Sequence, residues 1–335
     1  MAEQPLNNLR HNFSQFFLDR YNNFPQGKYV SLILVRQTES EAIFRTEGSG
    51  EPLNVEYVHA SDVDDDTQNP IIQRVVISKR KQTAVERRQG RELLRRFELL
   101  GKTVDKNKEE HDCALNRNAP CEKCMDCLIY GFAAGGGGAQ KARVITDDAY
   151  SLHEARVVRD KRQFNALFDN STMRDPISGA PSTSIGTDEY VRPQTTFLDI
   201  ETLHDLSLDE FIYVCGNVLR SSRYGAISSR IGSVHNTIAS VVFSDCELFS
   251  NLELTQIVYR LLRGDQSELA YPLRVPTVTK AVWEATDELL KKVAGQTTPL
   301  SPGGIDSLVD DVTAIYQNEA VLRDVLTAAT GTYGK

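Results

Sequence analysis

Residues 121–132 read CEKCMDCLIYGF, which places three of the chain's six cysteines within one short run. Cys113 lies just upstream, in HDCALNRNAPCEKCMDC. A thiolate is a nucleophile, a redox partner and a metal ligand. The stretch therefore admits a disulfide, a redox pair, a metal site or a thiol loop without chemistry. A C-x-x-C turn aims two sulfurs at one point, and Cys113, Cys121, Cys124 and Cys127 together suit a tetrahedral zinc ion. His111 is the alternative to Cys113 as fourth ligand. The bacterial ferredoxin run needs a fourth cysteine followed by proline, which is absent here. The expectation is a structural Zn2+ in a closed site, which stabilises a loop-rich insertion and carries out no catalysis. Cys215 and Cys246 stand in apolar segments and read as buried packing residues.

A second chemistry lies in RSSRYGAISSRIGSV at 220–234. Arg220, Arg223, Tyr224 and Arg230 surround a Gly/Ser-rich turn. Guanidinium groups bind phosphate bidentately, and a tyrosine ring offers a stacking face to an unpaired base. The plainer reading is a helix C-terminus neutralised by basic residues. Charge along the chain is uneven around these sites. The net charge of −8 argues against a surface coated uniformly in nucleic acid. Yet KRKQTAVERRQGRELLRR at 79–96 carries eight basic and two acidic residues, whereas 39–66 carries nine acids and one arginine. Such alternation favours one positive groove on a negative body. Asp64, Asp65 and Asp66 read as a solvated turn, since nothing there would desolvate them and shift their pKa.

Other signatures are absent. FAAGGGGAQKARV lacks the lysine placement of a phosphate-cradling loop, and no HExxH, GxSxG or GxGxxG context occurs. No apolar run approaches the ~20 residues of a membrane helix. The N-terminus has neither the basic nor the apolar region of a signal peptide, so a reducing cytoplasmic location is expected.

The elements that must position these groups follow from periodicity. LNNLRHNFSQFFLDRY at 6–21 reads as a helix, 29–35 as a strand, and 41–47 with 53–58 as a hairpin-like pair. A strand at 71–78 precedes a helix whose start Thr83 and Glu86 mark as a capping box, with Gly101 at its exit. Residues 168–190 form a long turn-rich loop. Ser207 and Glu210 form a second capping box for a helix that Gly225 stops. Strands at 226–234 and 237–246 follow, then helices at 251–263, 279–294 and 305–329. The class is α+β, without internal repeat or dividing linker.

Several blocks then occur in order: RVVISKRKQTAVERRQGRELLR, CEKCMDCLIYGFA, VRPQTTF and NVLRSSRYGAISSRIGSVHN. From about Gly27 to about Val242 the chain resembles the backbone subunit of type I-D CRISPR surveillance complexes (Cascade), within the Cas-seven family of RAMP proteins. The resemblance implies one modified RRM/ferredoxin-like domain over 1–335, with a zinc-binding insertion at 101–135 and an extended thumb or finger loop at 160–195. It implies a non-enzymatic scaffold that binds guide RNA (crRNA) by its backbone and stacks head to tail along it. The other partners it implies are target DNA or RNA and further subunits of the complex, and no membrane. Lys79, Arg80 and Lys81 would approach RNA phosphate from the end of a core strand. Arg220, Arg223, Tyr224 and Arg230 would form a second contact region, with Arg192 of VRPQTTF as a weaker contact. Two alternatives compete: a backbone nuclease acting through an acidic residue, and a zinc-stabilised interaction protein without nucleic acid.

Overall fold

The computed structural model describes residues 3–45, 52–65, 69–114, 120–134, 138–165, 167–226 and 232–333. Helix α1 (Gln4–Phe13) passes into a 3-10 turn (Ser14–Phe16), so it is shorter than the sequence suggests. Leu6, Leu9 and Phe13 still reach the core, and Phe16 stacks on Phe243 with ring centroids 4.0 Å apart. The first half of the fold continues through β1 (Tyr29–Thr38), β2 (Val55–His59), β3 (Ile71–Ile77), α2 (Lys79–Arg96), β4 (Lys102–Val104), β5 (Glu110–Asp112) and α3 (Met125–Tyr130). Then come β6 (Phe132–Ala134), β7 (Gly138–Gln140), β8 (Val144–Thr146), β9 (Ala149–Glu154), α4 (Ala155–Val158), β10 (Arg159–Asn165) and β11 (Ile185–Val191). The rest is β12 (Thr196–His204), α5 (Leu208–Arg220), β13 (Arg223–Tyr224), β14 (Gly232–Ser244), α6 (Asn251–Arg263), α7 (Val275–Leu290), β15 (Thr297–Pro299), α8 (Pro302–Gln317) and α9 (Glu319–Thr330).

The main sheet is antiparallel in the order β13-β14-β1-β12-β9-β3-β2, with β8 on β12 and β15 on β14. Strand β1 sits at its centre and shows why. Val30, Leu32 and Leu34 enter one core with α1, α2, α5, α8 and α9, while Ile33 and Val35 enter another with α6 and α7. The period-two alternation thus feeds two apolar faces, both covered by helices. A third core gathers Phe44, Val75, Ile77, Phe197 and Tyr224.

Several expectations need correction. Residues 41–45 form no strand, and β2 pairs with β3 instead. The apparent capping box at Thr83 and Glu86 lies inside α2, whose N-cap is Ser78. Thr83 donates to the Lys79 carbonyl one turn back (3.1 Å), and Glu86 points into the protein. Helix α5 does carry the Ser207–Glu210 box, but it ends at Arg220. The long loop at 168–190 is instead framed by a hairpin, with Arg159 opposite Val191 and Asn165 opposite Ile185. The last helix is two, because the Asn318 side chain accepts from the Val321 N–H (3.3 Å) and starts a new one.

At the middle of the sheet Arg36 is fully buried among ionisable partners. It donates to Asp199 (2.7 and 2.9 Å), Glu86 (2.9 Å), Glu201 (2.7 Å), Tyr224 Oη (3.0 Å) and Asn236 Oδ1 (2.8 Å). Three carboxylates around one guanidinium leave excess negative charge. Burial and the neighbouring Glu86 push the Glu201 carboxyl well above its ordinary range, against the pull of Arg36, and burial raises Asp199 too.

Arg36→Leu would strand those acids, and a loss of about 3–5 kcal/mol in urea unfolding is expected. Glu201 holds its proton in the folded state at pH values where the unfolded chain has released it. Its contribution is therefore fully present below its ordinary value of 4.5 and lost as pH rises through the elevated folded value. Glu201→Gln should match the parent protein near that lower limit and exceed its urea midpoint at neutral pH.

Candidate nucleic-acid interface and metal centre

The β4–β5 hairpin delivers Cys113, whose N–H donates to the Gly101 carbonyl (2.8 Å). Cys121 and Cys124 lie on the turn before α3, and Cys127 lies within its first turn. The four sulfurs all lie within 4.8 Å of one another, with Cys113–Cys127 at 3.5 Å and Cys121–Cys127 at 3.9 Å. A tetrahedron with metal–sulfur bonds of ~2.3 Å has edges of roughly 3.8 Å, so the set can hold a metal ion. The local backbone favours thiolates: the Cys121 N–H donates to Cys113 Sγ (3.2 Å) and the Cys124 N–H to Cys121 Sγ (3.3 Å). Arg91 Nη1 lies 3.9 Å from Cys113 Sγ. Hydrogen bonds from Cys121, Cys124 and Cys127 pull the Cys113 thiol down. Cys121 settles at about 7, where Cys113 opposes ionisation while Cys124 and Cys127 favour it. Contact with the thiols that ionise first, Cys113 above all, pushes Cys124 and Cys127 up. Four thiolates coexist only around a cation. Gly101 is part of the cradle, since a Cβ there would lie 2.3 Å from Cys121 Sγ. His111 is not: it pairs with Asp105 (3.2 Å) on the hairpin, which leaves Cys113 as the fourth sulfur. Of the remaining cysteines, Cys215 is buried and Cys246 only half-buried.

Helix α2 passes beside this cluster. Its first turn is basic and contains no acid, the reverse of what the helix dipole favours, and Ser78 provides no side-chain cap. The Lys79 N–H donates instead to Asp148 (2.9 Å). A cavity of about 640 Å³ opens between α2 and the cysteine-bearing segment. Arg80, Lys81, Arg87 and Arg88 line it from the helix, Cys113, Cys127, Phe132 and Ala133 from the opposite side, and Gly225 from the turn after β13. Gly225 has φ +109°, and a Cβ there would meet the Ile43 carbonyl at 2.8 Å, so this wall needs glycine. Among the described residues, the side chains of Arg80, Lys81 and Arg88 make no ion pair or hydrogen bond. Arg87 is committed to Asp126 (2.8 and 2.9 Å) and the Gly131 carbonyl (2.9 Å).

The expected contact residues divide. Lys79 and Arg80 are exposed and Lys81 half-buried on the first turn of α2, so they belong to a helix start and not to a strand end. Arg220 is exposed at the end of α5, its guanidinium 5.6 Å from the Tyr316 ring centroid, and Arg223 is exposed on β13. Tyr224 has no free face: its ring is buried and its hydroxyl joins Arg36, Glu86 (3.0 Å) and Asn236 (2.9 Å). That hydroxyl ties β13 to α2 and so brings the two basic blocks side by side. Arg192 is held by Asp160 (3.0 Å) and the Val157 carbonyl (3.3 Å) at the root of the β10–β11 hairpin. Arg230 lies outside the described residues, as does Asp66. Sequence reasoning missed Arg87 and Arg88 as groove residues. Their signal is helical spacing, seven residues or about two turns on from Arg80 and Lys81.

A family model described as Csc2 Crispr matches residues 16–326. No curated protein matches the chain. Among solved structures, the crystal structure of Thermofilum pendens Csc2 is similar at 18% identity and a TM-score of 0.61, over 98% of this chain and 94% of that one. A chain of a CRISPR RNA-guided surveillance complex reaches 0.46 at 11% identity, over 84% of this chain and 98% of that one. A chain of such a complex in a pre-nicking state reaches 0.49 at 11% identity, over 85% and 99%. Because the family model runs from the first turn after α1 into α9, the chain belongs to the Csc2 CRISPR family.

Proposed function

We propose that the protein is a non-enzymatic, guide-RNA-binding backbone subunit of a type I-D CRISPR effector complex. The observation that carries this reading is the groove along α2, where Arg80, Lys81 and Arg88 stand without protein partners among the described residues. Unneutralised cations in a groove grip a sugar-phosphate backbone without reading its sequence. A guide RNA differs from one complex to the next, so backbone gripping is the mode such a subunit needs. Lys79, Arg220 and Arg223 extend the basic surface, and Arg192 stands further off as a weaker contact. Its partners would be crRNA, target DNA or RNA, further copies of itself stacked head to tail, and the other subunits of a cytoplasmic complex.

The core is proposed to be RRM-like over a single domain, 1–335. Strands β14-β1-β12-β9 follow the order 4-1-3-2, with α2 between β1 and β9 and α5 between β12 and β14, which supports that assignment. Residues 101–135 would be a zinc-binding insertion, and the hairpin within 160–195 a thumb or finger. The bound metal is proposed to be Zn2+, because four thiolates on short turns suit a soft, tetrahedral ion. Its contribution is structural, with no open coordination position.

Fluorescence anisotropy with labelled single-stranded RNA tests the groove. Arg80→Ala with Arg88→Ala should weaken binding at least about tenfold across unrelated sequences. It should also flatten the salt dependence by about 0.7 per lost phosphate contact. Equal affinity and slope would sink the assignment. For the metal, Gly101→Ala should lose stoichiometric zinc on elemental analysis and lower the thermal midpoint; full zinc retention would contradict the cradle.

A further inference from the structure

Asp126 is fully buried between two of the cysteines, Cys124 and Cys127, at the start of α3. It is not a ligand in the four-sulfur cluster. Both its oxygens are taken by α2. Oδ1 accepts from Arg87 Nε (2.8 Å), and Oδ2 accepts from Arg87 Nη2 (2.9 Å) and Arg91 Nη1 (2.5 Å). The same two arginines then reach the frame of the cluster. Arg87 donates to the Gly131 carbonyl (2.9 Å) just past α3, and Arg91 donates to the Cys113 carbonyl. Arg87 and Arg91 stand one turn apart on α2, on either side of Arg88 in the sequence.

These contacts form one connected unit. The six-residue α3 is too short to persist alone: core burial holds Met125, Ile129 and Tyr130, and the turn that the cysteines close fixes its start, where Asp126 stands. When that turn closes, Asp126 is fixed, and two guanidiniums bind it with charge-assisted geometry. When it opens, both arginines lose a buried partner, and the middle of α2 loses its contact with the facing wall. From this we infer that Asp126 is a positioning residue: it couples occupancy of the metal centre to the placement of α2, and so makes the grip on single-stranded RNA metal-dependent. The RNA part rests on the function proposed above; the coupling itself does not.

Hydrogen exchange read by mass spectrometry on the full chain separates the two. Stripping zinc with a chelator should speed amide exchange across 79–91 about tenfold or more, and weaken binding of a labelled single-stranded RNA by a similar factor. Asp126→Asn, with zinc content verified, should reproduce both changes. Charge alone predicts the opposite for RNA, because removing an anion beside a cationic groove raises affinity. Should Asp126→Asn fail to fold, Arg87→Gln leaves every thiol in place and is read by exchange only. Faster exchange over 79–91 with zinc retained supports the link. Exchange over 79–91 that ignores zinc, or that stays at the parent level in the zinc-loaded variants, overturns it. Exchange that responds in a zinc-loaded protein unable to bind RNA keeps the coupling and removes the proposed function.

Discussion

The buried guanidinium of Arg36 holds the molecule's geometry. Its partners come from α2, β12, β13 and β14, so one side chain on β1 joins five elements. An uncompensated charge in that position would be prohibitive, and hydrogen bonds of this directionality allow few alternative packings. The consequence for the surface is specific. With Glu86 turned inward to Arg36, the rotation of α2 about its axis is set. Gly90 reinforces this: a Cβ there would lie 2.3 Å from Tyr213 Oη, so the helix approaches α5 closely. Residues 80, 81, 87 and 88 are then left facing the cleft and solvent.

The same arrangement bears on where the proposed RNA could lie. Many RNA readers use an open sheet face, but here α6 and α7 cover one face of the sheet and α2 and α5 pack on the other. Neither face is offered. A cleft among the described residues lies instead at the edge where α2 meets the cysteine-bearing segment and the turn at Gly225. Basic residues at a helix start oppose the dipole of that helix, so they lower stability in isolation. Their presence there makes physical sense where an anion supplies the missing charge.

How far the sequence reveals this depends on whether a residue's partners are local. The four cysteines were legible because their spacing is itself the geometry. The Ser207–Glu210 box and the span of α6 were legible because caps and apolar periodicity act within a few residues. Glu86 and Tyr224 differ from their sequence pattern for the converse reason. Glu86 three residues after Thr83 has the pattern of a cap, and a tyrosine between arginines has the pattern of a base platform. Their actual partner, Arg36, lies 50 and 188 residues away. The β10–β11 hairpin leaves little trace in the sequence because its strands are polar and the pairing begins outside the turn-rich segment.

A closed metal site would have a specific structural task in the cysteine-bearing segment. Strands β4, β5, β6 and β7 are three residues each, in two-stranded pairs that do not join the main sheet. Isolated two-stranded ladders of that length are not self-sustaining in water. Yet Met125, Cys127, Ile129 and Tyr130 are buried in the same core as α2 and α5. Apolar burial therefore anchors α3 and Cys113, while the short ladders β4–β5 and β6–β7 stay largely exposed. Metal ligation, which for zinc-finger peptides amounts to roughly 10–16 kcal/mol of apparent binding energy, would supply cohesion to the two short ladders. It would do so at the wall that faces the basic helix.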